Sequence, residues 1–350
     1  MIEIMALERD LDAGDVAARL GMGRDERGWL AGLERVGPDP GGTWMPRGVE
    51  LEATLARLGL GPGDVADVAP AVPDPGRTPE LWWLLERCAH RVAQAVGRWD
   101  DHTGPWPSLP AALGAAGRCF WLYAHLAALP AIRAWHRARG VPDDVSWATL
   151  ADVGRQVADH RRRHGVPGFD SMRWISLHFR GALFALGRLQ FNPYRLRTGP
   201  EGPLLWYEPP DPRAQEPGLR VGDEALAVHI PEAGPLTPAA CDASLRTARP
   251  FFEAHFPEHP FRVATCTSWL LDDQLADHLP ATSNIVRFQR RFELVPGALD
   301  SDDAFDFVFR RPESAIDELA PRTTLERAIV GHVRGGRRWR LRTGWLVPPG

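Results

Sequence analysis

The chain has 350 residues, 44% hydrophobic and 25% charged, a composition that can bury a core and excludes global disorder. Its net charge of −4 advertises neither nucleic acid nor an acidic membrane surface, and no apolar run approaches the length of a membrane span. All 41 basic residues are arginine, and a chain without lysine is not a P-loop NTPase, a protein kinase of the usual kind or a pyridoxal-phosphate enzyme.

The acidic start, MIEIMALERDLDAGD, lacks the apolar core of a signal peptide, so a soluble cytoplasmic protein is expected. Residues 12–21 and 25–37 read as short amphipathic helices stopped by Gly21 and Gly37. Pro/Gly-rich connectors at 38–48 and 69–80 precede three longer helical stretches, 79–99, 108–129 and 147–165. The last of these contains DHRRRHG (159–165), read as a helix C-terminus whose positive charge suits the dipole. Cys88, Cys119, Cys241 and Cys266 are scattered without CxxC spacing, so neither a zinc knuckle nor a disulfide framework is expected, and no metal.

The pattern changes near residue 181. Residues 182–196 read as a strand that pairs across a turn at 197–203 with a second strand at 204–209. EALAVHI (224–230) is apolar on both faces and reads as a buried strand. A helix capped by Thr237 runs to about Phe256, with Cys241, Ser244, Leu245, Ala248 and Phe252 on one stripe; Cys241 therefore reads as core. Next come a strand at 261–269, a short helix at 272–279 capped by Asp272, strands at 284–294 and 304–310, a helix at 323–333 and a strand at 337–346. On the strand reading of 284–294, Arg290 falls among Val286, Phe288, Phe292 and Leu294, which calls for a bulge or a paired charge. In 337–346, Arg338, Arg340 and Arg342 alternate with Trp339, Leu341 and Thr343, which predicts a solvated arginine face.

The strands at 224–230 and 261–269, joined by one helix, are expected to be parallel neighbours, with ligands gathering beyond their C-terminal ends. Those ends carry His229, Ile230, Glu232, Cys266, Thr267 and Ser268. The helix start at Gly234, Leu236 and Thr237 offers backbone N–H groups to an anion. Each strand has one small-residue face, and their alignment would give a floor for a thin chain such as pantetheine. The plainer reading is close packing of a helix.

VHIPEAGPLTPAACDASLRTARPFFEAHFPE (228–258), FRVATCTSWLLDDQLADHLPATSNIVRFQRRFEL (261–294) and DAFDFVFRRP (303–312) resemble the C-terminal domain of a family of bacterial acyltransferases with a GNAT-like fold. The helical half resembles the N-acyltransferase N-terminal domain that accompanies it. The resemblance implies an α+β protein: a helical N-terminal domain (1–168), then a GNAT-like mixed sheet flanked by helices (169–350). It implies direct, CoA-dependent acyl transfer from acetyl-CoA or another acyl-CoA to a small-molecule or peptide amine. In that scheme Ile230, Gly234, Leu236, Thr237 and Thr267 bind the acyl-CoA. The Ile230 N–H polarises the thioester, Glu232 or His229 serves as base, and Ser268 or Cys266 protonates the leaving thiolate. The plainer reading makes His229 a core histidine and Glu232 a loop residue.

Three departures stand out. PEAGPLT (231–237) has one glycine and no arginine, and its two prolines cannot donate an N–H. No tyrosine occurs in the helix after the 261–269 strand, where the family often carries its general acid. The usual first strand is not evident before residue 181, and the C-terminal strand was the candidate to fill its place. These leave two rivals open, a non-catalytic scaffold that binds a ligand or partner, and a thiol enzyme using Cys266.

Overall fold

The computed structural model describes residues 11–99, 106–197 and 220–349. The chain divides into two compact units between Ala182 and Leu183, where the sequence places the boundary after residue 168.

The first unit is helical among the described residues: α1 (Ala13–Leu20), α2 (Arg24–Val36), α3 (Gly48–Arg57), α4 (Pro62–Val68), α5 (Pro79–Gln94), α6 (Gly114–Arg118), α7 (Phe120–Ala127), α8 (Leu129–Ala138), α9 (Asp143–Leu150), α10 (Asp152–His164) and α11 (Met172–Phe179). Local chemistry sets the ends. Asp12 caps α1, accepting from Asp15 N at 2.7 Å, and Gly21 leaves it in the left-handed region. The stretch at 108–129 is broken rather than one helix: Gly114 has φ +58°, and Pro130 opens α8. The stretch from 147 is also two helices, broken at Ala151. There α10 starts hard against the end of α3, with Gly154 N donating to Leu58 O at 2.8 Å. A Cβ at Gly154 would sit 2.0 Å from the Gly59 backbone, so only glycine permits this approach. Leu85, Phe120, Leu122, Tyr123, Val153 and Ile175 lie in one apolar core, and the Tyr123 hydroxyl donates to Val68 O at 2.8 Å.

The second unit is built on a mixed sheet: β1 (Phe184–Leu186), β2 (Leu189–Arg195), β3 (Glu224–His229), β4 (Val263–Ser268), β5 (Glu293–Leu294), β6 (Leu299–Asp300) and β7 (Arg340–Leu346). The order is β1-β2-β3-β4-β7-β5, with β6 also on β7; among the described residues only β3 and β4 pair in parallel. Its helices are α12 (Pro238–His255), α13 (Asn284–Gln289), α14 (Asp303–Phe309) and α15 (Thr324–Arg334).

Several expectations are corrected here. Residues 182–196 form a hairpin rather than one strand. Leu186 pairs with Leu189 across Gly187–Arg188, and Gly187 (φ +78°) takes the first position of the two-residue turn. The expected partner strand at 204–209 lies outside the described residues. β7 does not take the missing first-strand position next to β2; it lies between β4 and β5, antiparallel to both.

Residues 284–294 are mostly helix. Ser283 caps α13 by accepting from Val286 N at 3.2 Å, and Arg290 is the exposed residue that ends it, so no bulge is needed. The alternation misled because both sides are buried: Val286 enters the cluster around Trp269 and Phe305, and Phe288 packs on Phe292. The segment expected as a strand at 304–310 is helix too, α14 ending at Phe309, with Asp303 and Asp306 in the first turn, where the dipole favours acids.

Candidate functional site at the β3–β4 vertex

The parallel pairing of β3 and β4 runs Ala225↔Val263, Leu226↔Ala264, Ala227↔Thr265 and stops. Both strands continue on their outer partners: Val228 and His229 stay paired with Phe191 and Gln190 of β2, and Cys266, Thr267 and Ser268 with Gly344, Thr343 and Arg342 of β7. The two central strands therefore part beyond Ala227 and Thr265 while each remains held from outside. The β3–β4 ladder itself ends there, before residues 228–229 and 266–268.

The register decides which side chains share a face. His229 lies on the face of Ala225, Thr265 and Thr267, whereas Cys266 and Ser268 lie on the face of Leu226 and Val228. The two small-residue faces are thus on opposite sides, and the expected continuous floor does not form. On the Val228 face, Phe184 packs against Phe251 and Phe252 of α12 and Phe256 at its end, with ring centroids 5.1, 5.8 and 5.2 Å apart. The stripe predicted for α12, Cys241 included, is buried there. The His229 face is hydroxyl-rich. Tyr194 of β2 reaches past Ala225 to hydrogen-bond Thr265 Oγ1, and Thr267 Oγ1 lies 2.8 Å from Thr343 Oγ1. Burial pushes the Tyr194 hydroxyl well above the usual phenol range, so it stays protonated.

The sequence candidates fare unequally. His229 is half-buried at the strand end. Ser268 is half-buried and already occupied as a cap, accepting from Leu270 N at 3.1 Å. Cys266 is corrected on both counts: it is 1% exposed, and burial pushes its thiol up to about 12, leaving neither a thiolate nucleophile nor an accessible proton donor. Glu232 is exposed and ion-paired with Arg310, whose guanidinium competes for the lone pairs a base would use.

The loop after β3 is where the fold supplies what the sequence lacks. Ile230 is half-buried, Gly234 is exposed with φ +86°, and Leu236 is buried. Thr237 caps α12, accepting from Ala240 N at 3.4 Å. Arg188, in the turn of the β1–β2 hairpin, donates to Pro231 O at 2.9 Å, Gly234 O at 2.8 Å and Pro235 O at 3.2 Å. In a trans peptide the next N–H points opposite to the carbonyl, so Arg188 turns the Glu232 and Leu236 N–H groups away from the hairpin. Arg188 and Arg310 come from 43 and 78 residues away along the chain, beyond the reach of a local motif.

The Asp272 cap is confirmed, with Gln274 N at 3.1 Å, and proves part of a larger network. Asp272 is fully buried and also accepts from Arg340 N at 2.8 Å and Arg340 Nη2 at 2.9 Å, while Asp273 holds Arg342 at 3.1 Å. Of the predicted arginine face, Arg340 and Arg342 are therefore half-buried and ion-paired rather than solvated, while Arg338, just before β7, is exposed.

A mixed sheet whose parallel pair opens beside a helix start is the layout of a GNAT-like domain, and residues 183–346 match the GNAT-like C-terminal domain. Residues 49–181 match the N-acyltransferase N-terminal domain. A solved acyltransferase in complex with decanoyl-CoA and teicoplanin is 40% identical, with a TM-score of 0.85 over 97% of this chain and 100% of that one. Another, in complex with CoA and 10C-teicoplanin, is 39% identical with a TM-score of 0.84 over the same shares. A mutant acyltransferase in complex with octanoyl-CoA aligns equally well, at 39% identity and a TM-score of 0.84. None of the curated proteins compared with the chain matches it. The chain belongs to the acyltransferase family that joins an N-acyltransferase N-terminal domain to a GNAT-like C-terminal domain.

Proposed function

We propose that this protein is a cytoplasmic bacterial N-acyltransferase that moves an acyl group directly from acyl-CoA to an amine. The observation that carries this reading is the parting of β3 and β4 beyond Ala227 and Thr265, in a chain 40% identical to an acyltransferase complexed with decanoyl-CoA. Similar structures with octanoyl- and decanoyl-CoA favour a medium acyl chain over acetyl, and those with teicoplanin favour an amine on a glycopeptide-like acceptor.

In this reading the pantetheine arm lies in the gap, with Ile230 and Thr267 at its sides. The Glu232 and Leu236 N–H groups, Gly234 and the α12 start at Thr237 meet the pyrophosphate. The amine nitrogen attacks the thioester carbon, the C–N bond forms and the C–S bond breaks. His229 takes the proton lost by the amine, and a backbone N–H at the opened β3 edge steadies the oxyanion. The thiolate takes the proton now held on the His229 imidazolium, since Cys266 is sealed and the Tyr194 hydroxyl keeps its own; Ser268 and Glu232 assist binding rather than chemistry.

The test measures CoA thiol release with acetyl-, octanoyl- and decanoyl-CoA and an amine-bearing glycopeptide. Turnover with the longer chains is expected, and His229→Gln should lower kcat by about 10²-fold or more while acyl-CoA affinity holds. Binding without thiol release in both proteins would instead establish the scaffold. No acyl-CoA binding at about 1 mM would remove the acyltransferase reading.

A further inference from the structure

The DHRRRHG stretch at the end of α10 holds more than a helix terminus. His160 and His164 stand one turn apart on the same side, their ring centroids 4.4 Å apart. Asp170 comes back to them after the left-handed turn at Gly165. One Asp170 oxygen lies 3.6 Å from His160 Nε2 and 3.6 Å from His164 Nε2, and the three donor atoms lie within 4.8 Å of one another. These spacings are too long for hydrogen bonds. The two Asp170–histidine spacings are close to the edge of a coordination tetrahedron, about 3.3–3.5 Å for metal–ligand bonds near 2.0–2.1 Å.

Two surrounding features prepare the set. His160 Nδ1 lies 2.9 Å from Val166 O, so it carries the proton and leaves the Nε2 lone pair toward Asp170. Gly168 packs against that ring, where a Cβ would fall 2.3–2.7 Å from its atoms, so the ring is locked in place. Asp170 follows Phe169, which is buried and held by Arg118 O at 3.0 Å from its N–H.

The arginines of α10 have their own carboxylate partners. Arg161 pairs with Asp64 and Asp67 at 2.6 Å each, and Arg162 and Arg163 pair with Asp159 at 3.1 and 2.9 Å. The C-terminal end of α10 adds a partial negative charge.

We propose that His160, His164 and Asp170 bind one borderline divalent ion, zinc foremost, and clamp the end of α10 to the segment leading into α11. Two imidazoles and a carboxylate suit zinc, cobalt(II) or nickel(II) better than calcium or magnesium. With His164 and Asp170 exposed, the fourth position is open to water. The site is separate from the proposed acyl-transfer chemistry and stands without it.

The test titrates the full chain with zinc chloride by calorimetry, and with cobalt(II) by visible absorption. One zinc per chain is expected, with a rise in Tm of roughly 5 °C at a hundredfold excess over Kd. His164→Gln and Asp170→Asn, both at exposed positions, should each weaken binding by about 10-fold or more and remove the Tm shift. No saturable zinc binding by about 1 mM would overturn the proposal. Equal affinity of the wild type and the His164→Gln/Asp170→Asn double variant would overturn it too.

Discussion

In the helical unit several ionisable groups are sealed: His125, His136 and His178 are fully buried and Asp152 is 2% exposed. At the vertex in the sheet unit, His229, Thr267 and Ser268 are half-buried at strand ends, and Glu232 is exposed in a loop. Burial sets the difference in role. A sealed polar group cannot meet a substrate and must be satisfied internally, or it costs stability. Asp152 meets that demand with Arg155 Nε and Trp174 Nε1 at 2.5 Å each and His178 Nε2 at 3.3 Å. At the vertex the β3–β4 ladder instead stops at Ala227 and Thr265, short of the strand ends.

The sharpest break of this comparison is Asp152→Ala. Removing one partner from a sealed cluster should destabilise the helical unit by about 3–5 kcal/mol in chemical denaturation. An effect below about 1 kcal/mol would mean that the cluster is not structural. Burial works against the Asp152 charge, but the His178 hydrogen bond and charge, then Arg155 and Trp174, outweigh it and hold the carboxyl well below its usual range. Its stabilisation is therefore present above the unfolded value near pH 4 and is lost as pH falls through the folded one.

The buried histidines give the next largest effect, at milder acidity. Burial lowers His125 to about 4 and His136 to about 3, against about 6.5 in the unfolded chain. Both are neutral when folded and must take up a proton on unfolding. Their contribution is full above pH 6.5 and is lost as pH falls through the folded values. Between pH 7 and 4 the loss should be roughly 2–3 kcal/mol for each. His125→Gln should make the acid limb of the stability curve shallower by about one proton, and an unchanged limb would refute the assignment.

The smallest effect on folding belongs to Arg188, which ties down the loop of the open site rather than the core. Arg188→Ala removes its three bonds to Pro231, Gly234 and Pro235. It should weaken acyl-CoA binding by about 10-fold, while unfolding shifts by no more than about 1 kcal/mol. A large stability loss with unaltered binding would reverse the contrast between the two regions.

Local chemistry fixed much of this molecule within the chain itself. Gly21 and Gly37 stopped their helices; Thr237, Asp272 and the Thr323–Glu326 capping box started theirs; the stripe from Cys241 to Phe252 marked the buried side of α12. Each is a relation among residues a few positions apart, where propensity and hydrogen bonding act directly. The strand ends holding His229 and Ser268 were legible for the same reason. Tertiary packing masked the helices at 284–289 and 303–309 despite the Ser283 cap and the acids at 303 and 306, since two buried sides imitate the alternation of a strand. It alone decided that the small-residue faces of β3 and β4 look opposite ways, because register is set between strands. And it alone brought Arg188 and Arg310 to a loop whose own sequence carries no positive charge, since contacts so distant along the chain leave no periodic trace in it.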